Sequence, residues 1–147
     1  MRLKKILIVL FLFLFTTFFI VSNSCKKDKK QDSIPYAYVD FYINTNSTQF
    51  LELHSVGGWV YVTGGVRGII IYRKAVDEFI AYERNCTYQP NNTCALVSVD
   101  NSNLMLLDSC CGSMFLLTDG SVIKSPASIP LKQYRTSFDG STLHVFN

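Results

Sequence analysis

From Tyr36 onward the apolar positions of the chain recur with period two or gather in short unbroken runs, and β-branched and aromatic residues fill most of them. Val39 to Ile43, Phe50 to Leu53, Trp59 to Thr63 and Gly68 to Arg73 are the first strand candidates. Asn44-Thr45-Asn46, Gly57-Gly58 and Gly64-Gly65 break the chain between them. The run Ile69-Ile70-Ile71-Tyr72 predicts a strand buried on both faces, since a half-solvated strand would alternate. Phe79 to Glu83, Ala95 to Val99, Leu104 to Leu107 and Met114 to Leu117 continue the series. Asp119-Gly120 and Asp139-Gly140 lie between apolar runs and predict hairpins, because two-residue turns need the positive φ that glycine supplies. Over Lys74 to Arg84, Ala75, Val76, Phe79 and Ile80 would share a helical face. No convincing cap precedes them and both flanks are β, so the segment reads as a turn at Asp77-Glu78 and then a strand. With no repeat and no internal linker, residues 36–147 read as one all-β domain.

The N-terminal part has a different pattern. Arg2, Lys4 and Lys5 precede an apolar stretch from Ile6 to Val21 that only Thr16 and Thr17 interrupt. It is shorter than the ~20 residues of a membrane span and reads as a secretory signal over residues 1–24. Ser22-Asn23-Ser24-Cys25 resembles a bacterial lipoprotein signal with a relaxed lipobox, which implies cleavage before Cys25 and acylation of that cysteine. Asn23 departs from the strictest motif, so ordinary signal-peptidase cleavage and an uncut anchor are the alternatives. Lysine-rich residues 25–35 cannot bury apolar surface and read as a solvated tether. The expected address is the cell envelope, on the periplasmic or outer-membrane side, held to the membrane by the N-terminal lipid beside an unknown protein partner.

Charge narrows the partners. The 14 Lys and Arg outnumber the 11 Asp and Glu, but three of the bases and none of the acids lie within residues 1–24, so the rest of the chain is balanced. Nucleic acid is not an expected partner, because phosphate affinity needs clustered positive charge on the folded body. No Ser-His-Asp order, nucleophile elbow, zinc-protease motif or phosphate-cradling glycine loop appears, and no enzyme activity is expected. Setting Cys25 aside leaves Cys86, Cys94, Cys110 and Cys111, an even number that reads as disulfides in an oxidising compartment, with three pairings open. The pairing that joins neighbours Cys110 and Cys111 is disfavoured by geometry. The many aromatics read as core, Tyr36, Tyr38 and Tyr42 included, with a binding patch as the other use of those three.

Ordered landmarks carry a family resemblance. Gly68 to Arg73 followed by Asp77 to Cys86 is similar to the strand pair leading into the first cluster loop of the Rieske [2Fe–2S] domain. Cys110-Cys111-Gly112-Ser113-Met114-Phe115 resembles the second loop. Asp119-Gly120-Ser121, Ser125-Pro126-Ala127, Pro130-Leu131, Tyr134 and the closing Asp139 to Val145 follow in the family's order. The resemblance spans residues 56–147. It implies a Rieske-like antiparallel β-sandwich or barrel with a smaller subdomain carrying the cluster loops.

The family holds its cluster with two thiolates on one iron and two imidazoles on the other, from Cys-x-His and Cys-x-x-His loops. Here the first loop reads Cys86-Thr87-Tyr88. Aligning Gly112-Ser113 places Asp108 at the second thiolate position and Cys111 at the second imidazole position. The two histidines, His54 and His144, fall in predicted strands away from both loops. The expectation is a non-catalytic interaction or structural module without the usual cluster or any other cofactor. The alternative is an electron-transfer protein with a [2Fe–2S] or other iron centre on Cys86, Tyr88, Asp108 and Cys111. One branch of the family joins its loops by a disulfide whose positions correspond to Cys94 and Cys110, which implies that bond here and leaves Cys86 and Cys111 for a second. Zinc on the Cys86, Asp108, Cys111 and Tyr88 set and a redox-active disulfide are further options. Tyrosine is a poor zinc ligand, and the second option lacks a Cys-x-x-Cys or a neighbouring base.

Overall fold

The computed structural model describes residues 33–147 together with Ile6. The expected signal, Cys25 and tether residues 26–32 lie outside the described residues. Among the described residues ten strands form two antiparallel sheets, in accord with the all-β, Rieske-like expectation. The strands are β1 (Asp40–Asn44), β2 (Trp59–Val62), β3 (Ile69–Arg73), β4 (Phe79–Glu83), β5 (Val97–Val99), β6 (Met105–Asp108), β7 (Met114–Leu116), β8 (Val122–Lys124), β9 (Gln133–Phe138) and β10 (Thr142–Phe146). The larger sheet runs β1-β10-β9-β4-β3-β2 and the smaller β5-β6-β7-β8. Among the described residues no helix is long and apolar enough to cross a membrane.

The unbroken hydrophobic run of β3 is explained by two cores. Ile69 and Ile71 enter one, with Val39, Ile43, Leu53, Val60 and Leu143. Ile70 and Tyr72 enter the other, with Tyr82, Val97, Leu106 and Phe115. Paired β4 repeats the division, Phe79 and Ala81 against Ile80 and Tyr82, so these two strands form a wall shared by both cores. Successive side chains leave a strand on opposite faces, and this pair has apolar neighbours on each.

Two expectations fail here. The segment Phe50 to Leu53 is not a strand but part of a 3₁₀ stretch, Thr48–His54, broken by non-helical backbone at Phe50. The Ser47 side chain accepts from the Gln49 amide at its start, and Leu53 is fully buried. Leu53 enters the first core and Phe50 packs against it from the kink. Arg73 holds the other end, donating to the carbonyls of Leu53 at 2.8 Å and His54 at 3.1 Å. The following turn is so close that a Cβ on Gly58 would lie 1.6 Å from the Glu52 carbonyl oxygen.

Tyr36, Tyr38 and Tyr42 do not enter the core either; all three are exposed. Val39 and Ile43 take the inward positions, so the even-numbered residues of this stretch face out. Tyr42 stacks on His144, its register partner on β10, with centroids 4.1 Å apart, and His144 stacks on Phe146 at 4.4 Å.

Candidate metal centre at the loop tips

The smaller sheet carries the loops. After β4 the chain runs through Asn85 and Cys86, where the Cys86 amide donates to the Ala95 carbonyl at 3.2 Å and Asn85 bridges Leu96. The second loop leaves β6 at Asp108 and re-enters at Met114 as a tight return: the Asp108 amide donates to the Ser113 carbonyl at 3.0 Å and the Gly112 amide to the Asp108 carbonyl at 2.8 Å. Gly112 has φ +78°, a conformation that glycine adopts freely. A third segment closes over both loops. The Ala127 amide donates to Ser113 Oγ at 2.9 Å, and Thr87 Oγ1 donates to the Ile129 carbonyl at 2.8 Å.

This arrangement gathers Cys86, Asp108 and Cys111, with one donor atom from each lying within 4.8 Å of the others. Cys86 and Asp108 are fully buried, and Cys111 is half-buried. Cys111 Sγ lies 3.2 Å from Asp108 Oδ2 and 3.0 Å from Ser113 Oγ, and the Ser113 amide approaches that sulfur at 3.4 Å. The Cys110 amide fixes Asp108 Oδ1 at 2.8 Å. Tyr88 packs its ring against the second core, and its hydroxyl accepts from Gln89 Nε2 at 3.5 Å. No histidine joins this group among the described residues. His54 ends the 3₁₀ stretch, and His144 sits on β10 paired with Asp40 at 2.7 Å.

Cys94 and Cys110 are disulfide-bonded, with Cα atoms 5.6 Å apart. The bond ties the segment before β5 to the second loop across 16 residues, which in the chain-entropy account stabilises by about 3 kcal/mol. The second expected disulfide is not formed. Cys86 and Cys111 are free thiols with sulfurs 4.0 Å apart, about twice the ~2.05 Å of a bonded pair. Cys111 is held within its own loop by contacts with Asp108 and Ser113, and Cys86 hydrogen-bonds with Asp108 and the Tyr88 backbone rather than bonding to the other sulfur.

Burial pushes the Cys86 thiol well above the ordinary range, and the Asp108 carboxylate adds to the effect through hydrogen bonding and its charge. The backbone amide of Tyr88 opposes it more weakly. A nucleophilic cysteine needs the opposite shift, because the thiolate is the reacting form. At neutral pH in metal-free protein Cys86 is therefore expected to react with iodoacetamide at least about tenfold more slowly than an ordinary exposed thiol. Mass-resolved alkylation kinetics check this, and rapid labelling of Cys86 would revive a thiol-redox role.

Two residues that matter here were not singled out from sequence. Ser113 was visible only as part of the Gly-Ser landmark, yet it is fully buried and links the second loop to the third. Glu83, at the end of an apolar strand, is fully buried and accepts from the Val66 amide at 2.7 Å, the Arg67 amide at 3.0 Å, the Asn85 amide at 2.9 Å and the Tyr134 hydroxyl at 2.7 Å. It anchors the glycine turn before β3 and the entry to the Cys86 loop to the same point. A charged residue closing an otherwise apolar strand was the available signal.

No protein-family model matches the sequence, and no curated protein sequence does. Among solved structures, the crystal structure of the plasma-membrane Rieske protein of the cyanobacterium Synechocystis PCC 6803 aligns with a TM-score of 0.53 at 23% identity. The alignment covers 71% of this chain and 99% of that one. At this identity the similarity defines a class of architecture, the Rieske-like β fold, and nothing narrower. Within that fold this chain has a disulfide and a Cys/Asp/Cys group.

Proposed function

We propose that the protein is a non-catalytic, membrane-tethered module of the cell envelope, lipidated at Cys25, in which a Rieske-like fold without the usual [2Fe–2S] cluster presents a surface to a protein partner. The observation that carries this reading is the donor set at the loop tips. A Rieske cluster takes two thiolates and two imidazoles, whereas the buried group here offers two thiols and one carboxylate, and both histidines belong to other parts of the fold. The residues present do not fit that cluster. The signal-like N-terminus and the Ser-Asn-Ser-Cys25 sequence support the lipid anchor, and the structural neighbour is itself a plasma-membrane protein.

Anaerobic isolation followed by iron analysis and a visible spectrum tests the reading. The expected result is iron well below one equivalent per chain and no charge-transfer bands. Stoichiometric iron with such bands would replace the proposal with the alternative, an electron-transfer protein with atypical ligands, which the fold similarity supports. Mass analysis of the mature protein tests the anchor: an acylated N-terminal Cys25 is expected, and an unmodified N-terminus would overturn it.

A further inference from the structure

We propose that Cys86, Asp108 and Cys111 bind a single zinc ion, with water in a fourth position on the half-exposed Cys111 side. The inference rests on the reading that the usual iron–sulfur cluster is absent, and begins from an imbalance of buried charge. Among the described residues two carboxylates are completely buried, Glu83 and Asp108. Glu83 is satisfied by three backbone amides and a tyrosine hydroxyl. Asp108 receives one amide at Oδ1, the Cys111 thiol at Oδ2 and a hydrogen bond from the Cys86 thiol, and among the described residues no lysine, arginine or histidine pairs with it. A buried carboxylate with so few donors is costly unless a cation neutralises it. Its nearest neighbours are two thiols that become anionic ligands when a metal displaces their protons.

The spacing suits one ion. Tetrahedral zinc bonds sulfur at ~2.3 Å and carboxylate oxygen at ~2.0–2.2 Å, which separates two sulfurs by about 3.8 Å and a sulfur from an oxygen by about 3.5 Å. The two sulfurs here are 4.0 Å apart, and Cys111 Sγ is 3.2 Å from Asp108 Oδ2. Adjustments of a few tenths of an ångström on these two edges reach the zinc geometry. The surrounding groups already orient the ligands: the Cys110 amide holds Asp108 Oδ1, the Ser113 amide points at Cys111 Sγ, and the Ala127 amide positions the Ser113 hydroxyl against the same sulfur. Calcium and magnesium want oxygen donors throughout, and copper(I) favours sulfur without carboxylate, whereas a two-sulfur, one-carboxylate site suits zinc. On binding, both thiols release protons to solvent, so the group keeps its net charge of −1 while the carboxylate gains a directly bonded cation.

Protein isolated anaerobically, stripped of metal and shown by thiol titration to retain free Cys86 and Cys111 is titrated with zinc against a chromophoric chelator, and separately with cobalt(II). The expected result is one zinc per chain, a cobalt spectrum with thiolate-to-metal charge-transfer bands, and affinity at least about tenfold lower in Cys111→Ser and in Asp108→Asn. Zinc is also expected to slow alkylation of Cys111 in the unaltered chain, a readout that does not depend on the variants folding. Absence of both free thiols, absence of one-to-one binding, unchanged affinity in both variants, or a cobalt spectrum without sulfur bands would each overturn the site. Iron-free protein that also ignores zinc defeats this inference alone, whereas stoichiometric iron defeats the function proposed above.

Discussion

Glu83→Leu is expected to remove a large part of the domain's stability, at least about 4 kcal/mol. The substitution keeps the volume apolar but strands the amides of Val66, Arg67 and Asn85 and the hydroxyl of Tyr134, all of which now donate to this carboxylate. A buried donor left unpaired costs about 1–3 kcal/mol, so four cost at least about 4 kcal/mol, against a total stability of about 5–15 kcal/mol for a typical domain. The glycine turn before β3 cannot move away to find water cheaply. A Cβ on Gly65 would lie 2.2 Å from Glu83 Oε2 and 2.7 Å from the Tyr134 hydroxyl, which shows how tightly that turn is drawn onto the carboxylate. Tyr134→Phe removes one donor and leaves three satisfied, so it is expected to cost only about 1–2 kcal/mol. Urea denaturation followed by circular dichroism separates the two: a large downward shift in midpoint or an unfolded baseline for the leucine variant, and a modest shift for the phenylalanine variant. A leucine variant as stable as the original chain would refute the assignment of Glu83 as the joint between turn, strand and loop.

Much of the fold was legible because its strands are short and their patterns local. The density of Ile69 to Tyr72 predicted burial on both faces, and the two cores supply the reason. Asp139-Gly140 likewise connects β9 to β10, with Asp139 accepting from the Ser141 and Thr142 amides. Phe50 to Leu53 escaped because a four-residue apolar stretch suits either periodicity, and only Ser47 as a cap and Arg73 as a tertiary partner decide between them. The outward tyrosines escaped because aromatic content says how much must be buried and not which ring; the inward register of Val39 and Ile43 settles that.

The candidate site was legible as residue types and illegible as distances. That Asp108 and Cys111 occupy the second loop follows from the Gly112-Ser113 landmark. Whether Cys86 bonds to Cys111 depends on placing two loop tips to within about 2 Å, which no spacing in the sequence encodes. The 4.0 Å between the sulfurs accompanies contacts made by Asp108, Ser113 and Ala127, residues of two separate segments. For the same reason the roles of Glu83 and Ser113 became visible only in three dimensions, since their partners come from residues 66, 67, 85, 127 and 134.

Alkali is the second condition expected to unfold the domain sharply. Burial raises the hydroxyl of Tyr82 far above the ordinary tyrosine value, with the charges of Asp119 and Tyr72 adding to it. Burial likewise raises that of Tyr134, followed by its hydrogen bond to Glu83 and the charge of that carboxylate. Both hydroxyls are committed as donors, Tyr82 to the Leu117 carbonyl at 2.9 Å and Tyr134 to Glu83. The folded pKa values therefore lie above the unfolded ones, so this stabilisation is complete below pH ~10 and is lost as the pH climbs from there towards the folded values. Over that window these two tyrosines leave the unfolded chain two protons short of the native one and lower stability by about 2.7 kcal/mol per pH unit, to which the raised Cys86 thiol adds. Tyr82→Phe is expected to lower the slope by about 1.4 kcal/mol per pH unit, because one linked proton is gone. Denaturant midpoints taken at half-unit intervals of pH, read beside the phenolate absorption, check both: two of the eight tyrosines should ionise only as the domain unfolds. Full phenolate absorption while the fold persists would mean that Tyr82 and Tyr134 reach solvent without unfolding, and that the wall between the two cores is looser than its packing indicates.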